Sequence, residues 1–317
     1  MSNNIISIIL INYNTPQITY ECVSSICNSV HSNYDIFIID NGSSEDNNKI
    51  LCSLIGESAK IIHLSNNLGY VGGINYALKV IYKLNYDYIL IMNNDTIIDS
   101  EALSSLVETS KRYNDMCIVT GKVYSYNYPN KLVHIGSMYN NKYKLERVAY
   151  MTDDLGQFDE EKFRDMIDDV FWLIPINIAK DVGFYSDYFW FNCEQADYAL
   201  RAKKKGYSLL YTPKAKIWHR EGATLGGKQN PVRQYWDVKS YLVFNFLHST
   251  RVDFMMEFLI VFMVFIKKSF IFCFNPFKWN VKCCKYILAY LYAMRDTIKW
   301  IRNKQPDNGS FPQILKL

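Results

Sequence analysis

The chain has 317 residues, 49% of them hydrophobic, with 25 Tyr and 18 Phe, and a formal net charge of +4. This composition excludes a disordered chain and leaves room for one large domain with an appendage, or for two domains. The charge is uneven, because residues 251–317 contain 11 Lys and Arg against 4 Asp and Glu, whereas residues 1–250 contain 24 against 27. A basic tail on a slightly acidic body predicts that the tail meets an anionic surface.

The eight cysteines form no Cys-x-x-Cys pair and no regular framework, and Cys283 and Cys284 are adjacent. Unpaired thiols are typical of a reducing compartment. The chain begins with MSNNIISIILINYN, which lacks the basic start and the small-residue cleavage site of a signal peptide and is predicted to be a first strand. We therefore expect the start of the chain to stay in the cytoplasm.

The first 120 residues alternate between strand and helix patterns. Apolar runs predict four buried strands at 5–11, 34–40, 60–64 and 87–93. Helical spacing of apolar residues predicts helices at 17–30 and 74–84, the second of them opened by the glycine-rich loop SNNLGYVGG. This alternation predicts right-handed βαβ units, and hence an α/β fold with a Rossmann-like, mostly parallel sheet flanked by helices.

Polar residues follow all four predicted strands, at 12–14, 40–42, 66–67 and 93–95. Ligands of parallel sheets bind beyond the carboxyl ends of the strands. The preference of Asn and Asp for turns explains any one of these clusters. It explains four clusters on one edge poorly, so the pattern favours a binding site.

The middle of the chain is less regular. The stretch MTDDLGQFDEEKFRDMIDD, residues 151–169, is predicted to be exposed, and a mobile lid is one interpretation. Residues 194–205 then predict a helix that ends at Gly206 and carries Glu194, Asp197 and Arg201 on one face.

Five motifs occur in order over about residues 5–225: ILINYNTP, IIDNGSS, NNLGYVGGIN, LIMNNDT, and EQADYALRAKKKGY followed by YTPKAKIWH. Together they resemble the family 2 inverting glycosyltransferases, which have the type A nucleotide-diphospho-sugar fold. Within that family they are most similar to bacterial rhamnosyl- and galactofuranosyltransferase-like members. The resemblance implies a nucleotide-sugar donor and a divalent metal, Mg²⁺ or Mn²⁺, that neutralises the diphosphate leaving group.

Asp95 matches the last acid of the family's Asp-x-Asp motif, and Asn93 replaces the first acid. The resemblance implies that Asp95 binds the metal and that Asn93 and Asn94 lie beside the nucleotide. His219 matches the family's late histidine, which can complete the metal site. The residues alone leave alternatives, because Asp95 and Thr96 could cap a following helix and a lone His after an apolar strand is more often a core or interface residue.

Asp40 resembles the family acid that hydrogen-bonds the base of a uridine or thymidine donor, and Tyr13 and Asn14 would flank that base. Asn67 and the glycines Gly69 and Gly73 lie where the backbone must approach a ligand closely, before a helix amino end that favours phosphate. The stretch matches neither GxGxxG nor a Walker A loop, which disfavours a dinucleotide-binding protein or an NTPase. A loop that needs tight turns for its own sake is the alternative.

An inverting transfer needs a carboxylate base that takes the proton of the acceptor hydroxyl. The family places this base at an acidic helix start, which here reads Glu194-Gln195-Ala196-Asp197, and Gln195 cannot act as a base. This leaves three alternatives. The base is Glu194 after a slight shift of register, or it is Asp197, whose spacing suits a contact with Arg201, or the protein is a weak or inactive relative. We assign the base to Glu194 and keep Asp197 as the second catalytic candidate. The non-catalytic alternative is that both acids are there because negative charge at a helix start interacts favourably with the helix dipole.

Residues 254–266 are nearly all apolar, but Lys267 and Lys268 follow them. A membrane-spanning window of ~20 residues would contain both lysines. The free-energy cost of inserting the two lysines roughly cancels the gain from the apolar residues, so a spanning helix is not favoured. Aromatic and basic residues then interleave, as in helices that lie on a membrane surface. They are Trp279, Tyr286, Tyr290, Tyr292 and Trp300 with Lys278, Lys282, Lys285, Arg295, Lys299 and Arg302. Packing on the catalytic domain or a homodimer contact is the alternative, and no nucleic-acid partner is expected because no such motif is visible.

The sequence thus predicts a nucleotide-sugar-binding glycosyltransferase domain at 1–245 and a helical, basic-aromatic C-terminal extension at 246–317. The expected activity is metal-dependent, inverting transfer from a UDP- or dTDP-sugar to a glycan or lipid-linked glycan acceptor in surface polysaccharide biosynthesis. The expected location is the cytoplasm, at the inner face of the cell membrane. A non-catalytic nucleotide-sugar-binding relative and a membrane-recruited scaffold are the alternatives.

Overall fold

The computed structural model describes residues 4–139, 145–220, 230–274 and 280–316. These residues form strands β1 to β13, helices α1 to α9 and a 3₁₀ turn at Gln313–Leu315. In chain order the strands are Ile6–Asn12, Tyr34–Asn41, Lys60–Leu64, Tyr88–Met92, Thr96–Ile98, Cys117–Ser125, Lys131–His134, Ser137–Tyr139, Leu145–Arg147, Thr152–Asp153, Lys162–Phe163, Phe171–Pro175 and Ser208–His219. The helices are Pro16–Cys27, Glu45–Ile55, Gly69–Ile81, Ala102–Arg112, Ile176–Val182, Glu194–Lys204, Pro231–His248, Arg251–Phe274 and Val281–Asn303.

The central feature is a mixed sheet of eleven strands, in the order β10-β7-β6-β12-β4-β1-β2-β3, with β13 pairing β5, β6 and β11 off this path. Strands β3, β2, β1 and β4 run parallel, whereas β12 runs antiparallel to β4 and β6. Strands β1, β2 and β4 are rich in Ile. They are buried because they lie inside the sheet and their side chains pack with those of α1, α2 and α4. The predicted α/β fold, a mostly parallel sheet flanked by helices with a helical C-terminal region, is confirmed.

The glycine-rich stretch differs from its prediction as a loop that opens a helix near residue 74. Helix α3 already begins at Gly69, so Gly73 lies inside the helix. A Cβ at Gly73 would lie 3.1 Å from Cδ1 of Ile11. The missing side chain at Gly73 thus lets α3 pack closely on β1. The prediction that Gly73 belongs to a loop is therefore wrong.

The stretch 151–169 carries the short strands β10 and β11 and is largely exposed up to residue 163, as predicted. The prediction is wrong for its last part, where Arg164, Met166, Ile167 and Asp169 are buried. The buried ammonium of Lys122 lies 2.6 Å from carboxylate oxygens of both Asp154 and Asp159. The hydroxyl of Tyr211 donates to the Phe158 carbonyl at 2.7 Å. The stretch is therefore fastened to the sheet at several points, which argues against its interpretation as a freely mobile lid.

The chain divides into two compact units. The first unit comprises the described parts of Met1–Asn67, Gly73–Tyr185 and Tyr198–Glu221, and its core lies between the sheet and its helices. The second unit comprises the described parts of Leu68–Gly72, Ser186–Asp197 and Gly222–Leu317. Its core is built from residues of α7, α8 and α9. The domain boundary at residue 245 stays a prediction.

Within the four described ranges, no helix is both long enough and apolar enough to cross a membrane. The interleaved aromatic residues of α9 do not all face outward, because Tyr290 is only 8% exposed and Trp300 only 6%. Their rings pack against other residues of the second unit. Lys278 and Trp279, which belong to the same predicted pattern, lie outside the described residues.

Candidate active site

The buried carboxylate of Asp40 is the centre of a hydrogen-bond network at the end of β2. Its Oδ1 accepts from Asn12 Nδ2 at 2.8 Å and from Ser43 Oγ, and its Oδ2 accepts from Asn48 Nδ2 at 2.7 Å and lies 2.8 Å from His63 Nδ1. Burial opposes ionisation, but these hydrogen bonds outweigh it and hold the pKa of Asp40 below its ordinary value. With both oxygens engaged, Asp40 positions the loop around it, and its contact with a donor base stays a prediction.

Asn14 joins the same network, and Tyr13 lies beside it. The backbone N–H of Asn14 donates to Ser43 Oγ at 2.8 Å, and Asn14 Oδ1 accepts from the Ser44 N–H at 2.9 Å. Asn14 has a positive φ of 55°, a conformation that Asn tolerates better than most residues. The ring of Tyr13 is exposed, and an exposed ring beside polar groups suits stacking on a base.

The second cluster lies where β4 ends and brings Asp95 together with His219. Register pairs β5 with the end of β13, so that His219 lies opposite Thr96. Asp95 Oδ1 lies 3.1 Å from His219 Nε2, and the Nδ2 of Asn93 lies 3.4 Å from the same nitrogen. The sequence-predicted metal residues therefore meet, although they are 124 positions apart in the chain.

The residue after Asp95 begins a strand, and α4 begins only at Ala102. The alternative that Asp95 caps the next helix is therefore wrong. Asp95 is buried, and its Oδ1 accepts no hydrogen bond from any residue that the structure describes. His219 Nε2 lies 3.1 Å from this oxygen but without the geometry of a hydrogen bond. A buried carboxylate oxygen that lacks a well-placed donor is costly, and a bound cation would remove that cost.

A divalent cation fits this donor set only in part. Asp95 offers carboxylate oxygen, His219 an imidazole nitrogen and Asn93 an amide oxygen, all acceptable to Mn²⁺. Across the described ranges, however, no group of three or more His, Cys, Asp or Glu could hold a metal ion. Further ligands would have to come from the diphosphate of a donor and from water.

Asn94 and Asn67 have structural partners within the first unit. Asn94 Nδ2 donates to Thr15 Oγ1 at 2.9 Å and to Thr19 Oγ1 at 2.7 Å, which fastens the end of β4 to α1. Asn41 Nδ2 lies 3.3 Å from Asn67 Oδ1. Their nucleotide-binding roles stay predictions.

Gly69 starts α3 with a φ of +72°, and a Cβ there would lie 2.6 Å from the Trp190 ring. Only glycine meets both conditions without strain. The backbone conformation and the nearby Trp190 ring thus both require glycine at position 69. A close approach of Gly69 to a ligand remains a prediction. Gly73 has the packing role described above, so a phosphate contact there stays a prediction as well.

Glu194 and Asp197 lie in the first turn of α6, and both are buried. The two preceding residues, Asn192 and Cys193, both have positive φ values, 71° and 67°. Two consecutive non-glycine residues in this region store strain that is typical of functional sites. Gln195 Oε1 is buried and has no hydrogen-bond partner among the residues described.

Sequence reasoning missed three residues near these clusters. His248 Nε2 lies 2.8 Å from Asp197 Oδ1, and Asp237 Oδ1 accepts from Asn192 Nδ2 at 3.0 Å. Burial raises the pKa of Asp237 despite Arg233 and Asn192. Arg220, whose backbone N–H donates to the Asp95 carbonyl at 2.9 Å, pairs with Glu21 and covers the Tyr126 ring. No local pattern marks these residues, although Arg220 directly follows the predicted His219.

Arg201 has partners within the first unit. Its guanidinium donates to the carbonyls of Val182 at 3.0 Å and Phe184 at 2.9 Å, and it covers the ring of Tyr198. These contacts fasten α6 to the end of α5. They give Arg201 a structural role that does not require a carboxylate.

Comparison with known proteins adds a family, relatives and a fold neighbour. The sequence model of glycosyl transferase family 2 matches residues 7–171, that is, 165 of the 317 residues. Poly-beta-1,6-N-acetyl-D-glucosamine synthases of Staphylococcus epidermidis and Staphylococcus aureus are each 24% identical over 230 residues, covering 70% of this chain and 51% of the relative. The chain therefore spans about half the length of the curated relatives it matches.

Among solved structures, the crystal structure of GalNAc-T7 with UDP, GalNAc and Mn²⁺ is similar with a TM-score of 0.59. The alignment covers 95% of this chain and 58% of that chain at 12% identity. At so low an identity the likeness concerns the fold alone.

Proposed function

Because the chain belongs to glycosyl transferase family 2, we propose that it transfers a sugar from a UDP- or dTDP-sugar to a glycan or lipid-linked glycan acceptor. The proposed setting is surface polysaccharide biosynthesis, and the proposed stereochemical course is inversion. The relatives named above, synthases of a polysaccharide, support the setting. The donor and the inverting course rest on the resemblance of the motifs to the family, and the lipid-linked acceptor rests on that resemblance and on the basic-aromatic tail.

The observation that carries the proposal is the buried, hydrogen-bond-deficient oxygen of Asp95 beside His219 at the carboxyl end of a parallel strand. Ligands of parallel sheets bind at this edge. Asp95, His219 and Asn93 would hold Mg²⁺ or Mn²⁺, which supplies positive charge to the diphosphate of the departing nucleotide. Tyr13 and the Asp40 network would receive the base of that nucleotide.

The proposed base is Glu194, with Asp197 as the second candidate. A carboxylate at this helix start would take the proton from the acceptor hydroxyl while that oxygen attacks the anomeric carbon. The contact of Asp197 with His248 gives that acid a positioning role instead.

The rhamnosyl- or galactofuranosyltransferase branch stays a prediction. The relatives reported above are named as synthases of an N-acetylglucosamine polymer, so a UDP-N-acetylhexosamine donor is a competing hypothesis. The donor panel of the experiment therefore needs both classes of sugar. A base other than uracil or thymine would contradict both hypotheses.

The experiment is a thermal-shift panel of the purified chain with UDP, dTDP, GDP and CMP, each with and without Mn²⁺. A ligand at a hundred times its Kd adds roughly 2.7 kcal/mol of stability. We expect stabilisation by UDP or dTDP that depends on Mn²⁺ and is lost in Asp95→Ala. Asp99→Ala, four residues further on, is the matched control and should keep the shift.

The absence of a shift with every nucleotide would overturn the proposal. It would leave the membrane-recruited scaffold as the better account of the chain. A shift that persists in Asp95→Ala would keep nucleotide binding but remove Asp95 from the metal site. The two results are distinguishable in one panel.

A non-catalytic nucleotide-sugar-binding relative is the second candidate, and Gln195 is the observation that favours it. Gln195 stands where the family's second acid is expected and cannot take a proton. This candidate predicts the same metal-dependent nucleotide shift but no sugar transfer. Transfer assays with the donors that the panel identifies separate the two.

A further inference from the structure

Helix α8, Arg251–Phe274, is apolar on nearly all sides, yet the residues that the structure describes cover only one of them. On the covered side, Phe254, Phe258, Val261 and Phe265 pack into the core of the second unit. A helix that is apolar all round is normally buried in a protein core or in a membrane. We therefore expect the exposed apolar side of α8 to contact another apolar surface.

The uncovered side is a continuous apolar surface, which we call the α8 stripe. Its residues recur at spacings of three and four, so they share one face of the helix. The α8 stripe consists of Val252, Met255, Met256, Leu259, Ile260, Phe262, Met263, Ile266, Phe270 and Phe274, all of them exposed. At 1.5 Å per residue it is about 33 Å long.

Soluble proteins rarely expose an apolar surface of this length unless it binds something. The ends of the stripe, Val252 and Phe274, are 71% and 72% exposed. Lys267 lies at its edge and is also exposed. The side chains of the stripe are long and flexible or aromatic, the types that fill the irregular space among lipid chains.

The charge of the C-terminal segment that carries the α8 stripe distinguishes a lipid surface from a second copy of the chain. Residues 251–317 carry 11 basic and 4 acidic groups, a net charge of +7. Two copies that met through the same face would bring two such charges together, which is unfavourable. An anionic lipid surface instead complements the charge, at about 1 kcal/mol for each basic residue near the surface.

A basic cavity lies at the carboxyl end of the same helix. It has a volume of about 410 Å³, and its lining includes Lys268, Lys282, Ile271 and Tyr286. The ammonium of Lys268 lies 5.1 Å from the centre of the Tyr286 ring. Two ammonium groups beside apolar walls suit the phosphate of a lipid headgroup whose chains lie along the stripe.

We propose that the α8 stripe inserts into the surface of an anionic membrane, with α8 lying in the plane of that surface. The stripe lies in the apolar part of the predicted interfacial tail, whereas Tyr290 and Trp300 of the basic-aromatic part, on α9, are buried. The proposal is independent of the donor site, since it involves neither the nucleotide nor the metal.

The test is vesicle flotation of the full chain without nucleotide or metal. Vesicles of phosphatidylcholine alone are compared with vesicles that also contain phosphatidylglycerol. We expect the chain to float with the anionic vesicles, with at least about tenfold stronger partitioning than to the neutral ones, and less at high salt. A chain that stays with neither vesicle overturns the proposal.

A triple variant, Leu259→Gln, Met263→Gln and Phe270→Gln, tests the surface itself. All three side chains are exposed, so the folded unit should keep its melting temperature while partitioning falls at least about tenfold. The matched control, Val30→Gln, Met116→Gln and Leu155→Gln, changes three exposed apolar residues of the first unit, and should float like the wild type.

Light scattering of the same proteins measures their oligomeric state and so tests whether the stripe binds a second copy of the chain instead. If the stripe variant floats like the wild type, the proposal is wrong. If it floats like the wild type and also converts a dimer into a monomer, the stripe binds a second copy of the chain. If the control variant also lost flotation, exposed apolar residues anywhere on the chain would affect membrane binding, and the proposal would equally be overturned.

Discussion

The Nε2 of His248 lies 2.8 Å from Oδ1 of Asp197, and both side chains are buried. His248 is the last residue of α7, and Asp197 lies in the first turn of α6. An ionised carboxylate can only accept, so the imidazole donates in this contact. Both residues belong to the second unit, and Asp197 is close in sequence to the proposed base Glu194.

We expect His248→Ala to lower the free energy of unfolding by about 1–3 kcal/mol, because the buried carboxylate of Asp197 loses a donor. Urea denaturation measures the change. His31→Ala is the control, since its Nε2 contacts only the Asn4 carbonyl, at 3.3 Å, in a less buried place. Equal losses in the two variants would contradict a special role for the pair.

The Asp40 network predicts a pH dependence of stability. The pKa of Asp40 is held below its ordinary value of 3.8, so folding favours the ionised form. The resulting stability is present above the unfolded pKa and is lost as the pH falls through the folded pKa. We expect Asp40→Asn to destabilise the chain most above about pH 5, with the difference shrinking below about pH 4.

Chemical denaturation of wild type and variant across this pH range measures the effect of Asp40. Asp46→Asn, in the exposed first turn of α2, is the matched control and should give a small difference at every pH. A difference between wild type and Asp40→Asn that does not change with pH would contradict the ionised, hydrogen-bonded state.

Two glycines with similar φ values separate backbone strain from steric clash. Gly69 has a φ of +72° and would place a Cβ 2.6 Å from the Trp190 ring, whereas Gly183 has a φ of +86° with nothing within 4 Å. We expect Gly183→Ala to cost about 1–3 kcal/mol from the backbone alone, because its φ of 86° and ψ of −148° lie close to a region that almost only glycine occupies. Gly69→Ala should cost clearly more, by a further ~1–3 kcal/mol of overpacking.

Thermal unfolding of the two alanine variants gives this comparison directly. A Gly69→Ala protein no less stable than Gly183→Ala would show that Trp190 moves aside freely. In that case the glycine would not be required by packing. The comparison does not depend on any ligand.

Replacement of the proposed base should separate catalysis from binding. We expect Glu194→Gln to lower sugar transfer by about 10²–10⁴-fold, the usual contribution of a general base. The metal-dependent nucleotide shift should remain, because the variant keeps the size of the side chain. Glu160→Gln, at an exposed position of the first unit, is the control.

The assay is transfer from whichever donor the nucleotide panel identifies. If Glu194→Gln transfers sugar like the wild type, the assignment of the base is wrong, and Asp197→Asn becomes the next variant. If the wild-type chain binds the donor and transfers nothing, the non-catalytic relative is the better account. These outcomes do not overlap.

The buried strands and the polar residues at their ends were predictable because both are local properties of the chain. An apolar β-branched run such as Ile6–Asn12 is buried wherever the sheet forms around it. The meeting of Asp95 with His219 was inferred from motifs and not from periodicity, since 124 residues separate them and only the pairing of β13 with β5 brings them together.

Amino-acid order alone decided which segments are apolar, which strand ends are polar and where the tail is basic, because these are properties of neighbouring residues. Only the tertiary structure decided that Asn12 and His63 reach Asp40 and that His248 contacts Asp197, since these partners come from distant segments. It also decided which side of α8 is covered. Hydropathy marks that helix as apolar all round, and the packing of α7 and α9 selects the face that remains exposed.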